Sequence, residues 1–255
     1  NTTGATTLGG VVGGTTALTS VTTNTGGTTN IAGNVTTTGL QDFNDAVSLT
    51  GNSILTSTGN TAISLDSTVD GAQNLTVNTT GATTFGGAVG GTTALTTVTT
   101  NAGGTTNIGG NVTTTGLQDF NDAVTLTGDS ILNSTGNAAV SLDSTVDGGQ
   151  NLTVNTTGAT TFGGAVGGTT ALTTVTTNAG GTTSIAGNVT TTGLQDFNDA
   201  VTLTGDAILS STGNAAVSLD STVDGGQNLT VNTTGATTFG GAVGSTTALT
   251  SVTTN

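Results

Sequence analysis

The chain has 255 residues drawn from only eleven residue types, with no Lys, Arg, His, Glu, Cys, Met, Pro, Trp or Tyr. Its 14 acidic groups are all Asp, so the formal net charge of −14 has nothing to offset it. This alphabet excludes a disulfide framework, nucleic-acid binding by phosphate neutralisation, attraction to anionic membranes, and the usual general bases and activated nucleophiles.

Charged residues make up 5% of the chain, against about 25% in an ordinary globular domain. Val, Leu and Ile nevertheless recur steadily, which sets the chain apart from plain disorder. No apolar run approaches the roughly 20 residues of a membrane-spanning helix. The Gly-Gly pairs are not phosphate loops, because no Gly-Lys-Ser/Thr follows them.

Repetition dominates. Asn-Thr-Thr-Gly-Ala-Thr-Thr begins at Asn1 and returns at Asn78, Asn155 and Asn232, a constant offset of 77 in residue number. The repeats are 1–77, 78–154 and 155–231, followed by a partial copy, 232–255. The second and third differ at four positions only: Asn107/Ser184, Gly109/Ala186, Ser130/Ala207 and Asn133/Ser210. Residues 1–255 read as one continuous unit, a segment of a longer array, since no atypical capping repeat is visible at either end.

In chain order, short alternating runs mark strands at Leu75-Thr76-Val77, Ala123-Val124-Thr125-Leu126, Val140-Ser141-Leu142 and Leu152-Thr153-Val154. Alternation of apolar and hydroxyl residues sends one set inward and the other outward. Gly-Gly, Asn-Asp, Thr-Gly and Asp-Gly pairs bound the runs and supply turns. Helix is disfavoured by abundant Gly, Thr and Val. A pattern of apolar residue, three small or polar residues, then Val recurs at Phe85–Val89, Ile108–Val112, Phe120–Val124 and Leu142–Val146. Its average spacing, roughly 19 residues, is of the size of one coil in a stacked repeat architecture. It predicts a β-solenoid with three to four coils per repeat. Leu8/Phe85 and Ile63/Val140 are expected inward, and Thr56/Asn133/Ser210 outward. An antiparallel sandwich built on hairpin turns such as Asp147-Gly148 is the competing architecture.

The block Leu152–Leu172, with Leu194-Gln-Asp-Phe-Asn-Asp-Ala-Val201 and Ser144-Thr-Val-Asp-Gly148, resembles the repeats of filamentous-haemagglutinin-like adhesins and related autotransporter passenger regions. The resemblance covers the whole chain at the level of repeat style. It implies an all-β, right-handed parallel β-helix, secretion to the bacterial surface or medium, and a role in attachment, aggregation or matrix building. The total absence of Lys and Arg departs from that pattern.

Only Asp remains as a chemical group. Asp42 and Asp45 recur as Asp119/Asp122 and Asp196/Asp199, and Asp66 with Asp70 recurs as Asp143/Asp147 and Asp220/Asp224. An active site is normally singular, whereas these appear once per repeat. They read first as corner and turn residues that keep a rod solvated. The sharper reading is calcium, which takes several carboxylate and carbonyl oxygens; its candidates are Asp42, Asn44 and Asp45, with Asp119, Asn121 and Asp122, and Asp196, Asn198 and Asp199. No catalytic residue and no other cofactor is expected.

The expected function is a non-catalytic shaft of a secreted or cell-surface bacterial adhesin. Its partners are a host or neighbouring-cell surface or matrix, contacted through regions that can lie outside this segment. A self-assembling extracellular fibre built by head-to-tail stacking is the alternative. Ice binding, suggested by Thr97-Val98-Thr99 and Thr190-Thr191-Thr192, is a remote one. No nucleic acid and no membrane insertion are expected.

Overall fold

The computed structural model describes residues 3–255. It contains parallel strands stacked as a β-solenoid of about 11 turns, with no helix among the described residues. The sandwich is thereby excluded: Val146–Asp147 pairs in parallel with Ala123–Leu126, and the Asp147-Gly148 pair turns no hairpin.

Strands visit three faces in rotation. The first face begins with Ala5–Leu8, Thr28–Ile31, Ala46–Leu49 and Val69–Asp70, passes through the single bridging residue Val89, and continues from Val112–Thr114 to Thr237–Phe239. The second runs from Val12 and Val35–Thr37 to Val223–Asp224 and Val243, and the third from Val21–Thr23 through Val166 to Ser251–Thr254. Each face is twelve layers deep, about 53 Å at a layer spacing of ~4.8 Å.

Turn length is uneven. Ala5 faces Thr28 and Thr28 faces Ala46, while Val47 faces Val69 and Val69 faces Val89. In residue number those steps are 23, 18, 22 and 20. The spacing inferred from the recurring apolar pattern is therefore too short. The cause is that Ile108 and Phe120 lie within one turn, on the third and second faces. Four occurrences of the pattern do not mark four turns.

One repeat contributes eleven strand positions. In the second repeat they are Ala82–Phe85, Val89, Thr97–Thr100, Thr105–Ile108, Val112–Thr114, Gln118–Phe120, Ala123–Leu126, Ser130–Ser134, Val140–Leu142, Val146–Asp147 and Asn151–Asn155. Eleven is not a multiple of three. A repeat thus spans three turns and two thirds, and equivalent strands of successive repeats occupy different faces. Gln41–Phe43 lies on the third face, Gln118–Phe120 on the second and Gln195–Phe197 on the first.

The core is a set of stacked inward columns. On the second face Val35, Leu55, Val77, Thr100, Phe120, Leu142, Phe162 and Ile185 follow one another in register, all fully buried. Each buried Val, Leu, Ile or Phe contributes on the order of 1.5–3 kcal/mol. Phe85, Ile63 and Val140 point inward as expected, and Leu8 packs against the same core at its end. Thr56, Asn133 and Ser210 lie on the outward side of their strands, between buried neighbours.

Thr departs from the expected outward role. Thr29, Thr83, Thr100, Thr106, Thr160 and Thr177 are buried within the columns. Thr is β-branched and close to Val in shape, so it stacks in a strand column at the cost of housing its hydroxyl.

Corners need close backbone approach. A Cβ on Gly136 would sit 2.0 Å from the Thr115 carbonyl oxygen of the turn below. Asn60, Asn137 and Asn214 adopt φ of 58°, 61° and 61° at the same corner type, the left-handed region that Asn tolerates.

Candidate functional site

The Asp-Phe-Asn-Asp segment splits its polar groups between two environments. Phe43 is buried, and Asp42 lies on the opposite, outward side of the strand, flanked in register by Thr22 and Ser64. Asn44 and Asp45 form the following corner. Asn44 donates from Nδ2 to the Thr23 carbonyl at 2.9 Å. Asp45 is 3% exposed, and its Oδ1 accepts from the Thr23 hydroxyl at 2.7 Å and the Thr29 hydroxyl at 2.8 Å.

The two later copies repeat this with one change. Asn121 and Asn198 donate to the carbonyls of Thr100 and Thr177, each at 2.8 Å. Asp122 accepts from the Gly104 N–H at 2.8 Å and the Thr106 hydroxyl at 3.2 Å, and Asp199 from Gly181 and Thr183 at 2.8 and 3.1 Å. The hydroxyls of Thr100 and Thr177, counterparts of Thr23, are buried without a partner. Burial raises the carboxyl pKa of Asp122 and Asp199, against the lowering effect of those hydrogen bonds.

Asp42 is thus on the outward side and partly exposed, whereas Asp45, Asp122 and Asp199, expected among the solvated corner residues, are buried. Donors from the turn below take the place of water at the inner corner. As for calcium, the structure turns the first and last carboxylates of each candidate triplet to opposite sides. No group of three carboxylates forms among the described residues.

A second acidic pair connects neighbouring turns. Asp66 follows the strand Ile63–Leu65, which stacks on Gln41–Phe43. Its carboxyl pKa is raised by burial and then by the charge of Asp42; Asp143 is raised by burial and by Asp119 in the same way. No cationic side chain exists in the sequence to relieve either pair. Asp129 and Asp206 lie outside, where the backbone N–H groups of Asn151 and Asn228 hold their carboxyls below the ordinary range.

One irregular feature interrupts the faces. Val89 and Leu95 bridge Val112 and Thr114, so six residue steps oppose two. The surplus, Gly90–Ala94, forms an outward loop with Gly91, Thr92 and Thr93 exposed. Gly90 has φ +68°, and a Cβ there would meet the Thr113 carbonyl oxygen at 2.1 Å. Asp70 clamps the loop from the turn below: its Oδ1 accepts the N–H groups of Thr92 and Thr93 at 2.8 and 2.9 Å. Asp147 holds Thr169 and Thr170 at 2.8 and 3.0 Å, and Asp224 holds Thr246 and Thr247 likewise. Sequence reasoning paired Asp70 with Asp66 and missed this clamp. The available signal was the recurrence of Thr-Thr-Ala-Leu, at Thr92–Leu95, Thr169–Leu172 and Thr246–Leu249, one turn after each Asp-Gly.

Gln41, Gln118 and Gln195 were also missed. Gln118 is fully buried, and its Nε2 donates to the Val112 and Asn133 carbonyls and the Thr114 hydroxyl at 3.1, 3.0 and 3.2 Å. It fastens three strand positions at an inner corner. The outer surface meanwhile stays mixed. In register on the second face it reads Ile54, Thr76, Thr99, Asp119, Ser141 and Thr161.

Compared with known proteins, the chain matches no family profile, no curated protein and no solved structure.

Proposed function

We propose that this chain is a non-catalytic shaft segment of a secreted or cell-surface bacterial adhesin, giving length and stiffness to an attachment device. The observation that carries this reading is the stack of three faces over about 11 turns, with polar corner residues fastening one turn to the next. The clamps of Asp70 and its counterparts and the buried Gln residues serve cohesion rather than a cleft. The mixed outward columns favour a shaft over an ice-binding plane, which needs one residue type repeated at one place in every turn.

The test is to place the array between an outer-membrane anchor and a small binding module on a non-adherent bacterium, and to compare it with an array shortened by one repeat. The shaft reading expects more capture of immobilised ligand with the longer array, and no capture by the array without the binding module. Capture by the bare array would make these residues the binding region and overturn it. Purified rods that join end to end under electron microscopy would move the assignment to a self-assembling fibre.

A further inference from the structure

We infer that one sequence repeat is a unit of both length and direction: gaining or losing a repeat moves whatever follows by about 18 Å along the axis, from three and two-thirds layers of ~4.8 Å, and turns it round the axis by one face. The inference rests on the shaft reading only for its use; the geometry stands on the strand register.

Each strand position stacks on the positions three before and three after it. With eleven positions per repeat, this neighbour relation passes across every repeat boundary unchanged. Asn74 faces Thr97 on the second face, Asn151 faces Thr174 on the first, and Asn228 faces Ser251 on the third, all in the same register. Phe43, Phe120 and Phe197 are fully buried on three different faces. The clamp from Asp70 to Thr92 and Thr93 is reproduced by Asp147 and Asp224 one and two faces round. An exchange between repeats, out of step by a whole unit, therefore leaves every ladder pair, corner and clamp intact. An exchange out of step by a single turn does not, because the unequal steps from Ala5 to Thr28, Thr28 to Ala46 and Val69 to Val89 put different corners in successive turns.

The consequence is a shaft whose tip advances in fixed steps and faces one of three directions, returning to its first direction after three repeats and about 53 Å. Any surface feature carried by the repeat is likewise presented on all three sides.

The experiment uses single- and double-cysteine variants of the whole chain, which has no native Cys. Thr15→Cys, Thr92→Cys, Thr169→Cys and Thr246→Cys place one thiol on each successive outward loop. Pairs of these are biotinylated, decorated with streptavidin and viewed by electron microscopy. The expected result is that labels at 92 and 169 leave the rod on different sides, about 18 Å apart along the axis, whereas labels at 15 and 246 leave on the same side, about 53 Å apart. Labels from all four loops on one side would mean a whole number of turns per repeat and would overturn the inference. That outcome leaves the shaft reading standing, and failure of the capture assay with correctly phased labels leaves this inference standing. An array with an extra copy of residues 155–231 must lengthen the rod by the same step; a step of three or four whole layers also overturns it.

Discussion

Truncation of Phe120 to Ala tests whether this rod holds together turn by turn. Phe120 is fully buried and sits in register between Thr100 below and Leu142 above. The neighbour below is a threonine with an unpartnered hydroxyl, so no larger side chain there can relax into the space. Phe→Ala in such a site costs about 3–5 kcal/mol. In a solenoid that loss falls on the turns touching the cavity, because stability is a sum over neighbouring units. Hydrogen exchange followed by mass spectrometry reads it directly. Amides of the strands Thr97–Thr100, Gln118–Phe120 and Val140–Leu142 should exchange roughly 10² to 10³·⁵ times faster, at about 1.4 kcal/mol per tenfold. Amides of Ala207–Ser211 and Val217–Leu219, three or more turns away, should change less than about threefold. The same truncation at Phe197, on a different face, should cost the same within about 0.5 kcal/mol. A uniform acceleration across the rod would show that it opens as one cooperative body and would refute the turn-by-turn account.

Three further outcomes are expected. Asp147→Ala removes the acceptor for the Thr169 and Thr170 N–H groups, and charge-assisted bonds of this kind contribute about 1.5–3 kcal/mol each; proteolysis and exchange should become faster at 167–171 alone, and unchanged rates there would show that the clamp does nothing. The rod should melt at a higher temperature near pH 4.5 than at pH 7: Asp122 and Asp199 have raised carboxyl pKa values in the folded state, so between those values and the ordinary ~3.9 the native state binds more protons than the unfolded one, and stability falls as pH rises. Asp66 and Asp143, also raised, act in the same direction, Asp129 and Asp206, lowered and exposed, act oppositely only nearer pH 4 and below, and Asp122→Asn with Asp199→Asn should shrink the rise without abolishing it; a melting temperature that falls steadily from pH 7 to 4.5 contradicts the sign. Gly136→Ala forces a Cβ to 2.0 Å from the Thr115 carbonyl and should cost more than the ~1 kcal/mol that ordinary Gly/Ala exchanges involve, read as a drop in melting temperature several times that of Gly149→Ala, where nothing lies within 4 Å of the new atom.

Much of the strand pattern was legible because alternation has a direct physical meaning. Ala123–Leu126 places Val124 and Leu126 inside and Thr125 outside, as an apolar and a hydroxyl residue two to a period must. Thr97–Thr100 was harder, since Val98 and Thr100 both go inward and nothing in the residue type separates Thr100 from the outward Thr99. The buried Asp45, Asp122 and Asp199 were illegible for a related reason. Their partners, Thr23 or Gly104 and Gly181, lie a turn away, and a turn of variable length hides that neighbour from any fixed spacing. The candidate triplets for calcium looked like one oxygen cluster because sequence proximity does not reveal that a strand and its corner point their side chains to opposite sides.

The mismatch between eleven positions and three faces also bears on why the alphabet is so narrow. Each of the eleven positions has to fit on every face in turn, above and below the same two neighbours, whatever the number of repeats. No face can then specialise: a row of one residue type along one side would have to be written into every repeat and would reappear on the other two. Outward positions accordingly settle mostly on Thr, Ser, Asn and scattered Asp, with an exposed Ile once per repeat at Ile54, Ile131 and Ile208, and inward positions on Val, Leu, Ile, Phe and Thr that stack on one another in mixed columns. A repeat of twelve positions would remove that constraint and allow one side to differ from the others. Inserting one further strand position into every repeat, copied from Val217–Leu219 with its corner, would make that conversion. Such an array should align all its outward loops on one side, and its sides should then accept different substitutions independently, which the natural phase of eleven forbids.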